Sequence, residues 1–187
     1  SNEEIEKLDA DYSPKFAAHF DSVYLNAKLF ARIKTLYNSR DTLGLDAQGV
    51  RLIERYYTDF VRAGNNLTEA QKTRIKAINS EMATLTTQFG QNVLAEVNNS
   101  AVIVTDRAEL AGLSDEQIAV LAQSAKDNGM PGKYRIALVN TTIQPLLPQI
   151  DNRALRERIH KASVARGSRG NEWDNRAIVS KVTKLRA

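Results

Sequence analysis

Two histidines, His19 and His160, are the first places to look for chemistry in this sequence, and neither stands in a catalytic pattern. A helical zinc site needs His-Glu-x-x-His, because residues four apart share a helix face and the intervening glutamate can activate water. His19 falls in Ala-Ala-His-Phe and His160 in Arg-Ile-His-Lys, each without a second histidine four residues away. Both are therefore expected in structural or surface roles. The sequence has no cysteine, which removes disulfides, thiolate ligands and Cys nucleophiles together. Cysteine-free chains are at home in oxidising and reducing compartments alike, so the compartment stays open.

The other catalytic vocabularies are equally thin. Gly64 and Gly90 are isolated, and the run Arg166-Gly167-Ser168-Arg169-Gly170 lacks the preceding strand of a phosphate-binding loop. Asp115 and Glu116 suit the first turn of a helix, where the dipole favours carboxylates without any catalytic reason. No motif assembles Ser, His and Asp. Asn140-Thr141-Thr142 follows an apolar stretch and reads either as a turn satisfying its own backbone or as the lining of a cleft. It also matches the glycosylation sequon, which matters only in a secreted eukaryotic protein. The expectation is a scaffold: no catalytic residue, no metal ligand, and substrate-binding residues that cannot be named.

Composition agrees with a scaffold. Of 187 residues, 42% are hydrophobic, enough for a real core, and 26% are charged, enough for a solvated surface. No apolar run approaches the roughly 20 residues that span a bilayer, and the N-terminus lacks the basic and apolar regions of a secretory signal. The net charge of +4 is uneven, since residues 151–187 hold ten Lys/Arg against four Asp/Glu. Arg153, Arg156, Arg158, Lys161 and Arg166 alternate with apolar residues at helical spacing, so solvated helix faces are expected rather than a nucleic-acid surface. Trp173 is the only aromatic there, and no nucleic-acid-reading motif is present.

The elements that would position any site are well punctuated. Ser1-Asn2 reads as a cloning-tag remnant. Ser13-Pro14 predicts a helix start, followed by Phe16, Phe20, Val23 and Tyr24 on one face. Asn26 offers a new cap, and the run Phe30, Ile33, Tyr37 ends near Leu43-Gly44. Asp46 caps a helix with the stripe Val50, Ile53, Tyr57, Phe60 and Val61, stopped at Gly64-Asn65-Asn66. Thr68 and Gln71 form a capping box that opens the longest helix, to about Asn98, with the seam Ile75, Ile78, Met82, Leu85 and Phe89. That seam implies antiparallel packing on the preceding helices. Ala101–Thr105 and Tyr134–Val139 read as short strands on either side of a helix opened by the Ser114–Gln117 capping box. Gln144-Pro145 and Pro148 predict a loop or single turn. Asp151 is expected to cap a helix with Leu155, Ile159 and Ala162 inward, stopping at Gly167–Gly170. Residues 172–187 carry Ile178, Val182 and Leu185 on one face and end without a stop signal, so a piece of a longer chain is expected. Residues 3–100 are thus long antiparallel helices, 101–150 short strands and a helix, and 151–187 amphipathic helices.

From about Leu25 onward the chain resembles the N-terminal half of the thimet-oligopeptidase-like (M3) zinc metallopeptidases, most of all the bacterial peptidyl-dipeptidases. The likeness rests on Leu25-Asn26, Leu29-Phe30-Ala31-Arg32, Leu43-Gly44-Leu45, Ile78-Asn79-Ser80-Glu81, Gln88-Phe89, Leu110-Ala111-Gly112-Leu113-Ser114, Leu138 to Thr142 with Gln144-Pro145, Arg153-Ala154, Arg156-Glu157 and Asn175-Arg176-Ala177-Ile178. The resemblance implies a mainly α, antiparallel bundle-like half of a two-lobed enzyme, with one short two-stranded β ribbon here. It implies that the single zinc ion and the catalytic residues belong to a C-terminal half outside this sequence. This chain would then be a non-catalytic segment forming part of a substrate-channel wall, in a parent that releases C-terminal dipeptides from short peptides in a bacterial cytoplasm or periplasm. Its partners would be that catalytic half and peptide substrates, with no nucleic acid and no membrane. Separation from such a parent predicts an exposed apolar patch on the 172–187 helix and beside the ribbon. The alternative is a stand-alone helical protein-interaction module.

Overall fold

A computed structural model describes residues 2–187; the N-terminal part of the expected tag remnant, Ser1, lies outside them. Their helices are α1 (Glu3–Tyr24), α2 (Ala27–Ser39), α3 (Ala47–Ala63), α4 (Glu69–Asn99), α5 (Asp115–Asp127), α6 (Asn140–Leu146), α7 (Arg153–Val164) and α8 (Arg176–Arg186). Two strands, β1 (Val102–Val104) and β2 (Tyr134–Ile136), pair antiparallel with Ile103 opposite Arg135. The mainly α architecture with one short ribbon is as expected. Packing groups these elements into two compact units. One runs to Gln88 and takes in Lys181–Ala187, and the other is Phe89–Ser180. Residue 100 falls between α4 and β1, and residue 150 between α6 and α7.

In the first unit the local signals set the helix ends. Asn26, Asp46 and the Thr68–Gln71 capping box accept or exchange first-turn hydrogen bonds: Leu29 N–H to Asn26 at 3.0 Å, Gly49 N–H to Asp46 at 2.7 Å, and Thr68 N–H to Gln71 Oε1 at 2.9 Å. Gly64 ends α3 at φ 113°, a left-handed conformation that disfavours a side chain. The core is aromatic: Phe60 and Phe30 are buried, with Tyr24 5.0 Å from Phe60 and Tyr37 stacked on Tyr57 at 3.9 Å. Thr87 donates to Ser13 and Asn79 to Asp21, so residue numbers rise on α1 as they fall on α4. This is the antiparallel packing the α4 seam implied, although within that seam Leu85 is buried and Phe89 is exposed.

One expectation for α1 is corrected. Ser13-Pro14 does not start a helix; α1 begins at Glu3, capped by Asn2, whose Oδ1 accepts from Ile5 N–H at 2.9 Å. Asn2 therefore works as a helix cap. Glu3, Glu4 and Glu6 favour the positive end of the dipole, and the polar bonds to α4 hold the helix through Pro14 despite an interior cost of about 3 kcal/mol. The Ser13 hydroxyl binds Asp9 instead of capping. Phe16, Phe20 and Val23 do share a face, but it points to solvent, because Ser13, Ala17 and Asp21 occupy the inner one.

The second unit is built around the ribbon, covered by α5 on β2 and by α7 on β1. Val104, Leu110, Ile136, Leu138, Ile150, Leu155 and Ile159 are almost wholly buried there, which gives the marginal two-stranded ribbon the helix cover it needs. Gln144-Pro145 lies in α6, not in a loop: the helix is two turns long, and Ile143 and Leu146 on its inner side join this core. The cap of α7 is Asn152, one residue beyond the expected Asp151, whose own N–H is committed to Ala111 O at 2.8 Å.

Candidate functional site

The residues singled out for chemistry are placed apart from any reactive constellation. His19 and His160 are both exposed. Among the described residues no group of three or more His, Cys, Asp and Glu is placed to hold a metal ion. The zinc that the family resemblance implies therefore finds no fitting donor set on these residues. Asn140, Thr141 and Thr142 form the first turn of α6, where Asn140 Oδ1 accepts from Arg166 at 3.3 Å.

What the second unit does hold is a buried polar network that the sequence reading missed. Glu96, in the last turns of α4, is almost fully buried and accepts from Gly167 N–H at 2.6 Å and Arg169 Nε at 2.5 Å. Arg169 also donates to the Ala162 carbonyl. Asn175 is equally buried; it receives Asn92 Nδ2 at 2.9 Å, and its own N–H donates to Gly167 O at 2.9 Å. Thus Arg166–Gly170 is the segment that α4 clamps. The available signal was a carboxylate at the unfavourable end of a helix dipole, which needs a compensating donor. Its donors lie more than 70 residues away in sequence, so spacing did not reveal them.

Beside this network lies an open groove of about 590 Å³, with Phe89, Val93, Val97 and Val179 as apolar walls and Glu96 and Asn175 at its polar edge. The first unit has its own groove of about 410 Å³ between α2 and α3, lined by Leu29, Ile33, Leu36, Leu52 and Tyr56. Val179 is exposed on the last helix, and beside the ribbon Val120 of α5 and Val164 of α7 are exposed, while the ribbon's own Val102, Val104 and Ile136 are buried. The larger exposed apolar set is on α1, α2 and α3.

Asp174 closes the loop that leads into α8. The Arg176 side chain is the main cause holding its carboxyl far below the usual carboxylate range, followed by the N–H groups of Arg176 and Gly170. A carboxyl depressed on folding adds stability above its unfolded value of about 3.9 and loses it as pH falls through the folded value. Asp174→Asn is therefore expected to destabilise at pH 6, with the gap narrowing as pH falls below about 4 and closing only as it passes through the depressed folded value. Thermal melts of both proteins across that range check this; an unchanged gap at low pH would refute it.

No protein-family model matches the chain. Curated relatives do. Dipeptidyl carboxypeptidase of Escherichia coli (strain K12) is 39% identical over 187 residues, covering 100% of this chain and 28% of that protein. The dipeptidyl carboxypeptidase of Salmonella typhimurium is 39% identical over 186 residues, covering 100% and 27%. Oligopeptidase A of Haemophilus influenzae is 30% identical over 162 residues, covering 84% and 24%. The chain belongs to the family of dipeptidyl carboxypeptidase and oligopeptidase A, and spans about a quarter of the length of these relatives. Within that family its similarity to the two dipeptidyl carboxypeptidases is higher and extends over more of the chain than its similarity to this oligopeptidase A.

Proposed function

We propose that this chain is a non-catalytic N-terminal segment of a zinc-dependent peptidyl-dipeptidase and supplies part of the wall of its substrate channel. The observation that carries the reading is similarity along the whole chain, at 39%, to proteins named dipeptidyl carboxypeptidase of which it spans 28% or less. A wall needs a rigid outline and packed seams, and no titrating centre. The buried clamp on residues 166–175 and the helix-covered ribbon supply that rigidity. The zinc, the catalytic residues and the docking partner then belong to the C-terminal half of the longer protein, and short peptides are its substrates. No described helix is long and apolar enough to cross a membrane, and cytoplasm or periplasm is the proposed location.

The test is peptide cleavage with added zinc, run side by side on this chain and on the longer protein that contains it. Release of C-terminal dipeptides from a blocked oligopeptide by the longer protein alone is the expected result. Zinc-dependent cleavage by the purified chain would overturn the non-catalytic reading. Cleavage by the longer protein only at internal bonds would overturn the peptidyl-dipeptidase assignment.

A further inference from the structure

Asn128 alone among the asparagines of the chain is followed by glycine. That order matters because an asparagine side-chain amide lies within reach of the next residue's backbone nitrogen, and only glycine sets no side chain in the path of attack. Here both partners are open. Asn128 caps the C-terminal end of α5 and Gly129 follows it; both are exposed, and no atom stands within 4 Å of where a Cβ on Gly129 would sit. Hydrogen bonds at the helix end restrain the pair. Asn128 Nδ2 donates to Ser124 O at 2.8 Å, Gly129 N–H to Lys126 O at 3.0 Å and Met130 N–H to Ala125 O at 2.9 Å. At ψ 23° the Gly129 nitrogen points away from the Asn128 side chain, so closing a ring between them requires that turn to open and ψ to rotate. Exposed helix ends open at little cost, far below that of unfolding the domain.

We infer that Asn128-Gly129 is a site of spontaneous deamidation, gated by fraying of the end of α5. In the opened turn the Gly129 nitrogen gives up its proton to solvent and bonds to Asn128 Cγ. The Cγ–Nδ2 bond breaks, and the side-chain nitrogen takes up a proton and leaves as ammonia. Water then opens the resulting cyclic imide at either of its carbonyls. One opening gives aspartate. The other gives isoaspartate, in which the backbone runs through the former side chain and gains a carbon. Water is the only co-reactant, and nothing is oxidised or reduced. Both products set a carboxylate at the negative end of the α5 dipole and replace the donor to Ser124 O with an acceptor. Leu121 and Ala125, core residues of α5, directly precede this turn, and α5 packs on β2, so the modification loosens the connection between the two. The inference stands on this turn alone and is independent of the proposed peptidase role.

The chain is held for days at neutral pH and body temperature, native and in guanidinium chloride, and its tryptic peptides are mapped by mass spectrometry. Cleavage after Lys126 and Lys133 isolates the pair on one peptide. That peptide is expected to convert before any other that contains asparagine, yielding isoaspartate as well as aspartate. Conversion should be about three- to thirtyfold slower in the native than in the denatured chain. Hydrogen exchange at the Gly129 N–H should show protection of the same size, since one opening releases both. Asn128→Gln, whose longer side chain must close a larger ring, should stay unmodified over the same time. Asn128→Asp carries the new charge on an unaltered backbone, and its Gly129 and Met130 amides should exchange about two- to fivefold faster than the parent's. A native chain left intact while the denatured one converts overturns the inference, as does earlier conversion of another asparagine. Equal rates in the two states overturn the gating, and aspartate without isoaspartate overturns the cyclic route.

Discussion

Glu96→Ala is expected to cost about 3–5 kcal/mol of stability, the range for removing one partner of a buried ion pair. The carboxylate is almost fully enclosed, and the change leaves the Gly167 N–H and the Arg169 Nε without their acceptor and the guanidinium, itself largely buried, without its counter-charge. A charge left unpaired in such a place is the dominant loss; the missing attraction is secondary. Glu96→Gln separates the two effects. It keeps the shape and one acceptor oxygen but removes the charge, so a smaller loss of about 1.5–3 kcal/mol is expected. Because the pair fastens residues 166–170, both variants should also speed trypsin cleavage after Arg166 and Arg169, alanine more than glutamine. Thermal melts and timed proteolysis measure this directly. A Glu96→Ala protein melting and digesting like the parent would show that the clamp contributes nothing.

That clamp also marks where sequence reading stops. Caps at Asn26, Asp46, Thr68 and Ser114 were legible because each is a contest between a side chain and backbone groups three residues away. Gly64 was legible for the same reason, since a helix end there needs a left-handed residue. Ser13-Pro14 misled because the local preference of proline for a first turn lost to Asn2, to the acidic first turn and to polar bonds with α4. Pro145 misled likewise: burial of Ile143 and Leu146 outweighs one missing helical hydrogen bond. The stripe on α1 was visible as a stripe, but not its direction, since an apolar face looks the same whether it meets its own core or another molecule. Glu96, Arg169 and Asn175 were illegible because their partners are brought together only by the finished fold.

Gly112→Ala should be among the most damaging single substitutions in the chain, because two costs fall on one residue. Gly112 has φ 95°, where a side chain is strained by about 1–2 kcal/mol. A Cβ there would also stand 1.9 Å from the Gln149 carbonyl oxygen and 3.1 Å from the backbone nitrogen of Asp151. These obstacles are backbone, so no rotamer change relieves them. The two segments are tied, moreover, by the Asp151 N–H to Ala111 O bond of 2.8 Å, and Leu110 and Ile150 beside them are core residues. Separation of the segments would therefore open the core, and a total loss of about 3–5 kcal/mol is expected. Gly132→Ala is the matched control: its φ of 80° carries similar strain, but nothing lies within 4 Å of its Cβ position. Only about 1–2 kcal/mol should be lost there. Denaturant titration of the two variants isolates the close approach as the difference between them, and equal losses would refute it. The outcome bears on kinship as well. Leu110-Ala111-Gly112-Leu113-Ser114 is one of the stretches through which the chain resembles its family, and its glycine has a physical reason to be there: only a hydrogen fits between that turn and the Gln149 carbonyl.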